Sequence, residues 1–312
     1  MAENPWPELV YAELQDTCAT LQLWMQVVGK VRLALAPWLN HSWHVPLYVT
    51  ARGLGTGPVP CGAFALDMEF DFVAGALSLR RADGGARAVA LRPMSVAEFY
   101  GAVMEGLAGL GVDVKIGGTP NEMAEAVPFA KDHAPRVYDA AQARRFWLAL
   151  SQAWRVLSAF RTGFLGKASP AHVFWGGFDL AATRFSGRPA PPHPGGVPHL
   201  RDAVTREAYS HEVSSAGFWP GGGAVDYPAF YAYAYPEPTG FRTAKVAPAA
   251  AFYHDGLREF VLPYAAVQGA ADPDAVLLAF LQSTYEAAAD LGRWDRAALE
   301  CDLGKPGIPR VV

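Results

Sequence analysis

The sequence has few cysteines, few charged residues and no long uninterrupted apolar segment. Its three cysteines, Cys18, Cys61 and Cys301, lie far apart, which excludes a disulfide framework or a zinc knuckle and is typical of a reducing cytoplasm. Charged residues make up 18% of the 312 residues and the net charge is −4, so neither nucleic acid nor an anionic membrane is an expected partner. No apolar run reaches the roughly 20 residues that span a bilayer, and the N-terminus lacks the pattern of a signal peptide. We therefore expect a soluble cytoplasmic protein.

The elements that are present follow one order twice. Hydrophobic residues account for 51% of the chain, which is enough for a large core. Helical periodicity runs from about Asp16 to Ala36 and again from Asp139 to about Gly163, and strand-like alternation follows each helix. Later helices begin at the capping residues Ser95 and Asp272. The pattern predicts an α+β fold of two similar halves, each helix–antiparallel strands–helix, related by a pseudo-two-fold axis.

Two segments fall outside this order. Residues 117–135 are rich in proline, glycine and acidic side chains and form the predicted connector. We expect an N-terminal half at residues 1–116 and a C-terminal half at 136–312, packed as one unit, with the candidate site in the C-terminal half. The Pro-rich residues 186–200 are unsuited to a helix or to the interior of a sheet, and a loop of this length is typical either of a lid or binding loop or of surface padding.

Histidines accompany carboxylates in two segments of the C-terminal half. His211 and Glu212 are adjacent, so on a regular strand they point to opposite faces. His172 and Asp179 share a face only if a β-bulge at the intervening glycine pair reverses the alternation. The structural alternative is that His172 ends a strand and Asp179 pairs with Arg184.

These residue types suit two kinds of chemistry. If His172 and His211 lie on adjacent strands facing the same way, one further carboxylate completes a site for a divalent transition metal. Without a metal, the same groups form an acid/base set, because histidine titrates near neutral pH and a carboxylate fixes its tautomer. The sequence does not separate these possibilities from a purely structural role. The candidate catalytic residues are His172, His211, Asp179 and Glu212, and the candidate metal ligands are His172 and His211.

Aromatic residues near these histidines form a predicted binding wall. Tyr231 and Tyr233 alternate along one strand toward Glu237, while Trp175 and Trp219 supply flat apolar surfaces suited to a ring-bearing ligand. The alternative is that the tyrosines pack against a helix with their hydroxyl groups in solvent. A first-half cluster whose contribution to the site stays open consists of His41, His44 and Arg52.

Four strings carry a family resemblance: GKVRLALAPWLNHSWHVPLYVTARGL (29–54), SPAHVFWGGFDLAATRFSGR (169–188), AYSHEVSSAGFWPG (208–221) and YAYPEP (233–238). Through them the chain resembles a bacterial family, about 300 residues long, catalogued as a domain of unknown function. The resemblance implies no activity, fold or cofactor. From the residues we expect an enzyme acting on a small, partly aromatic or apolar molecule. The alternatives are a non-catalytic small-molecule binding protein and an interaction protein with an aromatic surface.

Overall fold

Helices and antiparallel strands make up the part of the chain that a computed structural model describes, residues 4–223 and 225–310. The helices are α1 Tyr11–Leu35, α2 Val96–Gly109, α3 Ala140–Arg161, α4 Asp202–Ala208, α5 Tyr264–Gln268, α6 Pro273–Leu291 and α7 Arg296–Leu299. The strands are β1 Tyr48–Val49, β2 Gly53–Gly55, β3 Val59–Cys61, β4 Phe64–Asp71, β5 Ala76–Arg81, β6 Ala86–Ala90, β7 His172–Phe174, β8 Asp179–Pro189, β9 His211–Trp219, β10 Ala229–Tyr235, β11 Phe252–His254 and β12 Glu259–Pro263. Within these ranges no helix is long and apolar enough to cross a membrane.

The strands form two antiparallel sheets, which confirms the predicted α+β class. The first sheet has the order β1-β2-β4-β5-β6 with β3 beside β4, and the second has the order β11-β12-β10-β9-β8-β7. Residues 4–116 consist of α1, six strands and α2, whereas the second half consists of α3, six strands with α4 between β8 and β9, and then α5, α6 and α7. The two sheets differ in detail. In the first, β3 pairs with β4 outside the main strand order, and in the second, β12 lies between β10 and the edge strand β11. The similarity between the halves is one of element order.

One backbone bridge joins the two sheets edge to edge. Leu47, just before β1, exchanges both hydrogen bonds with Val173 of β7, at 2.9 and 2.7 Å. We call the region around this bridge the seam. The bridge links the first half of the chain to the second through the edges of their sheets.

Local signals in the sequence place the helix starts. The Ser95 hydroxyl accepts from the Glu98 backbone N–H, and Glu98 returns a bond to the Ser95 backbone, forming the predicted capping box of α2. The carboxylates of Asp139 and Asp272 accept backbone N–H groups at the starts of α3 and α6. Helix α1 begins at Tyr11, earlier than the apolar periodicity predicts, because its first turns are largely exposed.

The helices cover one face of the sheets and leave the other face polar. Trp24 of α1 stacks on Phe99 of α2 with ring centroids 4.7 Å apart, and Phe146 of α3 contacts Phe218 of β9. Phe218 and Phe230 lie side by side across β9 and β10, fully buried in this core. Because side chains alternate along a strand, their neighbours in sequence point to the opposite face.

At the glycine pair the chain forms neither a continuous strand nor a bulge, because β7 ends at Phe174 and β8 begins at Asp179. Residues 175–178 form the turn between β7 and β8, with Phe178 in the left-handed region at φ 59°. Phe174 consequently pairs with Asp179, so His172 and Asp179 share a face without a bulge. At Gly176 and Gly177 the absence of a Cβ leaves room beside this turn for the carboxylates of Glu122 and Asp179.

Candidate functional site

Three residues of the second sheet point away from the helix layer and toward each other. Tyr231 of β10 lies beside Gly217 of β9, and Asp179 of β8 lies diagonally across that glycine. The Tyr231 hydroxyl donates a hydrogen bond to Asp179 Oδ2. Tyr233 stacks on Tyr231 with an interplanar angle of 14° and a centroid distance of 6.1 Å. Asp179 and the two tyrosines, which are separate candidates in the sequence, therefore lie on one face of this sheet.

Two further carboxylates join this face. The point where a Gly177 Cβ would stand is 2.9 Å from Asp179 Oδ1 and 3.8 Å from Glu122 Oε2. Glu259 lies on β12, one position beyond the Ala232–Phe260 pair, and so shares the face of Tyr233. We call the group Glu122, Asp179, Glu259, Tyr231 and Tyr233 the carboxylate cleft.

Burial raises the pKa of each carboxyl group in the cleft, and the charge of Asp179 adds to this effect at Glu122 and Glu259. Burial, followed by the charge of Asp179, raises the pKa of Glu122 to about 7 and that of Glu259 to about 8. Burial raises the pKa of Asp179 to about 6, against the opposing effect of the Tyr231 hydrogen bond. Glu122 nevertheless keeps an exposed surface, so it lies in an open concavity. Solvent screening there weakens the effect of the surroundings on its pKa. All three groups exchange protons closer to neutral pH than ordinary carboxyl groups do.

A polar stripe on α1 holds the backbone that carries Glu122. The Gln26 side chain forms two hydrogen bonds with the Asn121 backbone, at 3.0 and 2.7 Å. The Lys30 ammonium donates to Asn121 Oδ1 at 2.5 Å, and Gln22 donates to the Gly176 carbonyl at 2.7 Å. These contacts fix the connector against the β7–β8 turn. Glu122 adopts φ 61° and is thereby directed over the glycine pair.

The Pro-rich segment crosses the edge of the cleft. His193 stacks on Tyr209 with centroids 4.8 Å apart, and the Tyr209 hydroxyl lies 2.8 Å from that of Tyr233. The Tyr235 hydroxyl donates to the Pro191 carbonyl at 2.9 Å. At the other end of the segment, the Glu122 backbone N–H donates to the Pro198 carbonyl at 2.8 Å. The segment is thus attached to the cleft at both ends.

Glycines provide the space in which these side chains meet. A Cβ on Gly176 would lie 1.9 Å from a Glu122 carboxylate oxygen, and one on Gly217 would lie 2.5 Å from the Tyr231 hydroxyl. Side chains at these positions would displace the two groups that define the cleft.

The two predicted histidines lie far from each other. His172 is beside Ala181, which is beside Gly217, whereas His211 lies six residues earlier on β9. At about 3.3 Å per residue this is roughly 20 Å along the strand. Among residues 4–223 and 225–310, no group of three or more His, Cys, Asp or Glu side chains has an arrangement suited to a metal ion.

His172 is almost fully enclosed. It is 1% exposed, and its ring lies between those of Tyr48 and Phe174, at centroid distances of 6.1 and 4.8 Å. Burial, followed by the charges of Arg161 and Arg32, lowers the pKa of His172 to about 3. Its imidazole is therefore neutral at physiological pH.

His211 meets the first-half cluster instead of the cleft. Its ring lies 5.9 Å from that of His41, whose Nε2 is 2.5 Å from the Lys167 ammonium and whose Nδ1 is 2.8 Å from the Ala208 carbonyl. His44 accepts the Leu39 backbone N–H. Of the three first-half residues, Arg52 lies elsewhere, paired with Asp71.

The remaining predicted residues have other partners. Glu212 forms an ion pair with Arg188 at 2.6 Å, and Glu237 forms one with Arg242 at 2.7 Å. Trp175 is buried, and its indole N–H donates to the Val45 carbonyl at 3.0 Å. The half-buried residue at the end of β9 is Trp219, which shares the face of Tyr231.

Two surface depressions elsewhere lack comparable chemistry. One of about 550 Å³ is lined by residues that include Arg296 and Glu300, and these two are paired with each other at 2.6 Å. The second, of about 380 Å³, lies between α6 and the segment around Lys245. Glu286 and Asp290, which line the second depression, form ion pairs with Arg296.

The family model described as a family of unknown function (DUF5996) matches residues 6–301. The chain belongs to this family. The match covers nearly the whole chain and confirms the resemblance drawn from its sequence strings. Neither the comparison with curated proteins nor the comparison with solved structures found a match.

Two acidic residues of the carboxylate cleft have only weak signals in the sequence. Glu122 lies in a connector without periodicity, so nothing local connects it with Asp179. Glu259 begins a strand-like run. That it lies on the same sheet face as Tyr233 follows only from the pairing of β12 with β10. Gln22, Gln26 and Lys30 are spaced by four residues on α1 and so lie along one side of the helix. This spacing is a periodic signal for a shared polar contact.

Proposed function

We propose that the carboxylate cleft binds a small organic cation that also carries an apolar or aromatic part. One observation carries this proposal: none of Glu122, Asp179 and Glu259 takes part in an ion pair within the described residues. His254 pairs with Glu259 across β11 and β12, but its Nδ1 accepts the Leu257 backbone N–H. Carboxylates crowded together without a counter-ion are unfavourable, and a cation from solution offsets that cost.

The surroundings favour an ammonium or guanidinium group attached to an apolar body. Tyr231 and Tyr233 supply ring faces, which attract cations through their quadrupoles, and Trp219 extends the aromatic surface of the same face. Carboxylate oxygens add charge-assisted hydrogen bonds to N–H donors. A ligand with both features would gain from each part of the cleft.

Acid/base catalysis on the bound molecule is the second candidate, which makes the protein an enzyme. It is favoured by the pKa values of Asp179 and Glu122, raised to about 6 and about 7. Groups that titrate near the working pH are efficient proton donors and acceptors. Glu122 is exposed and so accessible to a substrate, while Tyr231 orients Asp179.

Calorimetric titration at pH 7.5 tests the proposed binding. The probe is 2-phenylethylamine, and its neutral counterpart is 2-phenylethanol. We expect the amine to bind and Asp179→Asn to weaken binding by at least about ten-fold, because a charge-assisted contact is lost. The matched control is Glu105→Gln, an exposed glutamate of α2 that should leave the affinity unchanged. Equal affinity for the alcohol, or an unchanged affinity in Asp179→Asn, would contradict the proposal.

Two broader inferences accompany the proposed function. We infer that the halves arose by duplication, which their common order of helix, meander and helix supports. We also infer a reducing cytoplasmic setting, which the three free cysteines support. A disulfide-linked form recovered from cells would contradict the second inference.

A further inference from the structure

Two arginines and a neutral histidine are associated with the seam, where Leu47 and Val173 form the bridge between the sheets. Arg32 comes from α1, Arg161 from the last position of α3, and His172 from β7. The Arg32 guanidinium lies 5.3 Å from the centre of the Tyr48 ring and donates to the Pro46 carbonyl. Tyr48 in turn lies against His172. The charges of both arginines contribute to the low pKa of the His172 imidazole.

Each of these three side chains has a buried nitrogen without a hydrogen-bond partner in the described part of the chain. The atoms are Nε of Arg32, Nε of Arg161 and Nδ1 of His172. An unpaired buried polar atom costs roughly 1–3 kcal/mol, so three in one region call for a partner from outside the chain. His172 is 1% exposed, which rules out bulk water as the partner of its Nδ1.

The arginines also lack a counter-ion. Neither Arg32 nor Arg161 forms an ion pair with any described residue, whereas Arg52, Arg155 and Arg188 each contact a carboxylate. Arg161 makes no hydrogen bond to the described residues either, although it is half-buried. Exposed arginines such as Arg144 are solvated by bulk water, but burial lowers the pKa of Arg161. The seam is therefore a partly enclosed region of uncompensated positive charge.

We propose that Arg161, Arg32 and His172 bind the anionic group of a small molecule, a carboxylate or a phosphate. The planar guanidinium groups match both anions through paired N–H donors. His172 contributes a neutral ring nitrogen that donates in one tautomer. Tyr48 and Phe174 flank the imidazole and give the site aromatic walls. The site does not depend on the carboxylate cleft, since it takes the opposite charge.

Titration calorimetry with inorganic phosphate and with acetate, at constant ionic strength, tests the site. We expect one of the two anions to bind the full chain, and Arg161→Met to lower that affinity by at least about ten-fold. Arg144→Met, in the same helix but exposed, is the matched control and should change the affinity less than about two-fold. Arg161 has no hydrogen-bond or ion-pair partner among the described residues, so the variant should not lower the melting temperature.

The outcomes separate the proposal from its alternatives. Binding of phosphate alone identifies a phosphate site, and binding of acetate alone identifies a carboxylate site. Equal loss in both arginine variants would indicate general charge attraction and overturn the proposal, as would the absence of binding. If Arg161→Met does not fold, Arg161→Lys keeps the charge but lacks the paired donors. It should then weaken binding without abolishing it, and an unchanged affinity would overturn the proposal.

Discussion

Two opposing effects act on the ionisation of Asp179. It accepts a hydrogen bond from Tyr231, which favours its charged form, yet burial disfavours that form. Burial has the larger effect, so the pKa rises. A residue that destabilises its surroundings when ionised is a common feature of functional sites.

The pH dependence of stability tests this conflict. Because the pKa of Asp179 rises from 3.8 to about 6, the folded protein holds the proton more tightly than the unfolded chain does. Its contribution to stability is present at low pH and is lost as the pH rises from about 4 to about 6. At pH 8 we expect Asp179→Asn to be more stable than wild type by on the order of 1–2 kcal/mol, after allowance for solvent.

Urea unfolding of both proteins at pH 4.5 and pH 8 measures this difference. The stabilisation should shrink toward zero at the lower pH, where the wild-type carboxyl group is protonated. Glu105→Gln serves as the control, since its carboxylate is exposed on α2. An equal loss of stability at both pH values would show that Asp179 is a purely structural residue.

At the scale of elements, helix α1 acts as the support of the cleft. Gln22 and Gln26 attach it to the β7–β8 turn and to the connector, while Gly29 allows the Trp175 indole to contact the helix backbone. A Cβ on Gly29 would lie 2.1 Å from Trp175 Nε1. The close approach of turn and helix therefore requires glycine at this position.

Two glycine substitutions separate packing from helix propensity. Gly29→Ala should destabilise the protein by about 1–3 kcal/mol, because the methyl group overlaps a buried ring. Gly101→Ala in α2 meets no atom within 4 Å and should stabilise by about 0.5–1 kcal/mol. Urea denaturation followed by circular dichroism gives both values. A stabilising effect of Gly29→Ala would mean that α1 and the turn are farther apart.

Across the whole molecule, the halves share one core. The hydrophobic cluster runs without interruption from Trp24 and Phe99 in the first half to Phe146 and Phe218 in the second. The Leu47–Val173 bridge adds a backbone connection between the sheets. Neither half buries its own surface completely, because α1 packs on α3.

Unfolding should consequently be a single cooperative event. We expect one transition in differential scanning calorimetry, with equal calorimetric and van't Hoff enthalpies. A fragment of residues 136–312 should remain unfolded, because it would expose the surface of α3 that α1 covers. Two resolved transitions, or a folded fragment, would show that the halves are independent domains.

Local chemistry made much of the fold predictable. The caps at Ser95, Asp139 and Asp272 and the alternation in the strands depend on neighbouring residues, so they can be recognised without the fold. The turn after Phe174 was missed because a glycine pair permits both a bulge and a hairpin. Strand pairing decides between them.

The sequence by itself determined the α+β class, the helix starts and the alternation that aligns Tyr231 with Tyr233. Only the tertiary structure decided which charged groups meet. It brought Glu122 from the connector to Asp179 and kept His211 away from His172. The physical reason is that caps and periodicity are short-range properties of the chain. The proximity of groups far apart in sequence depends on register, on the backbone space left by glycines and on the packing of α1.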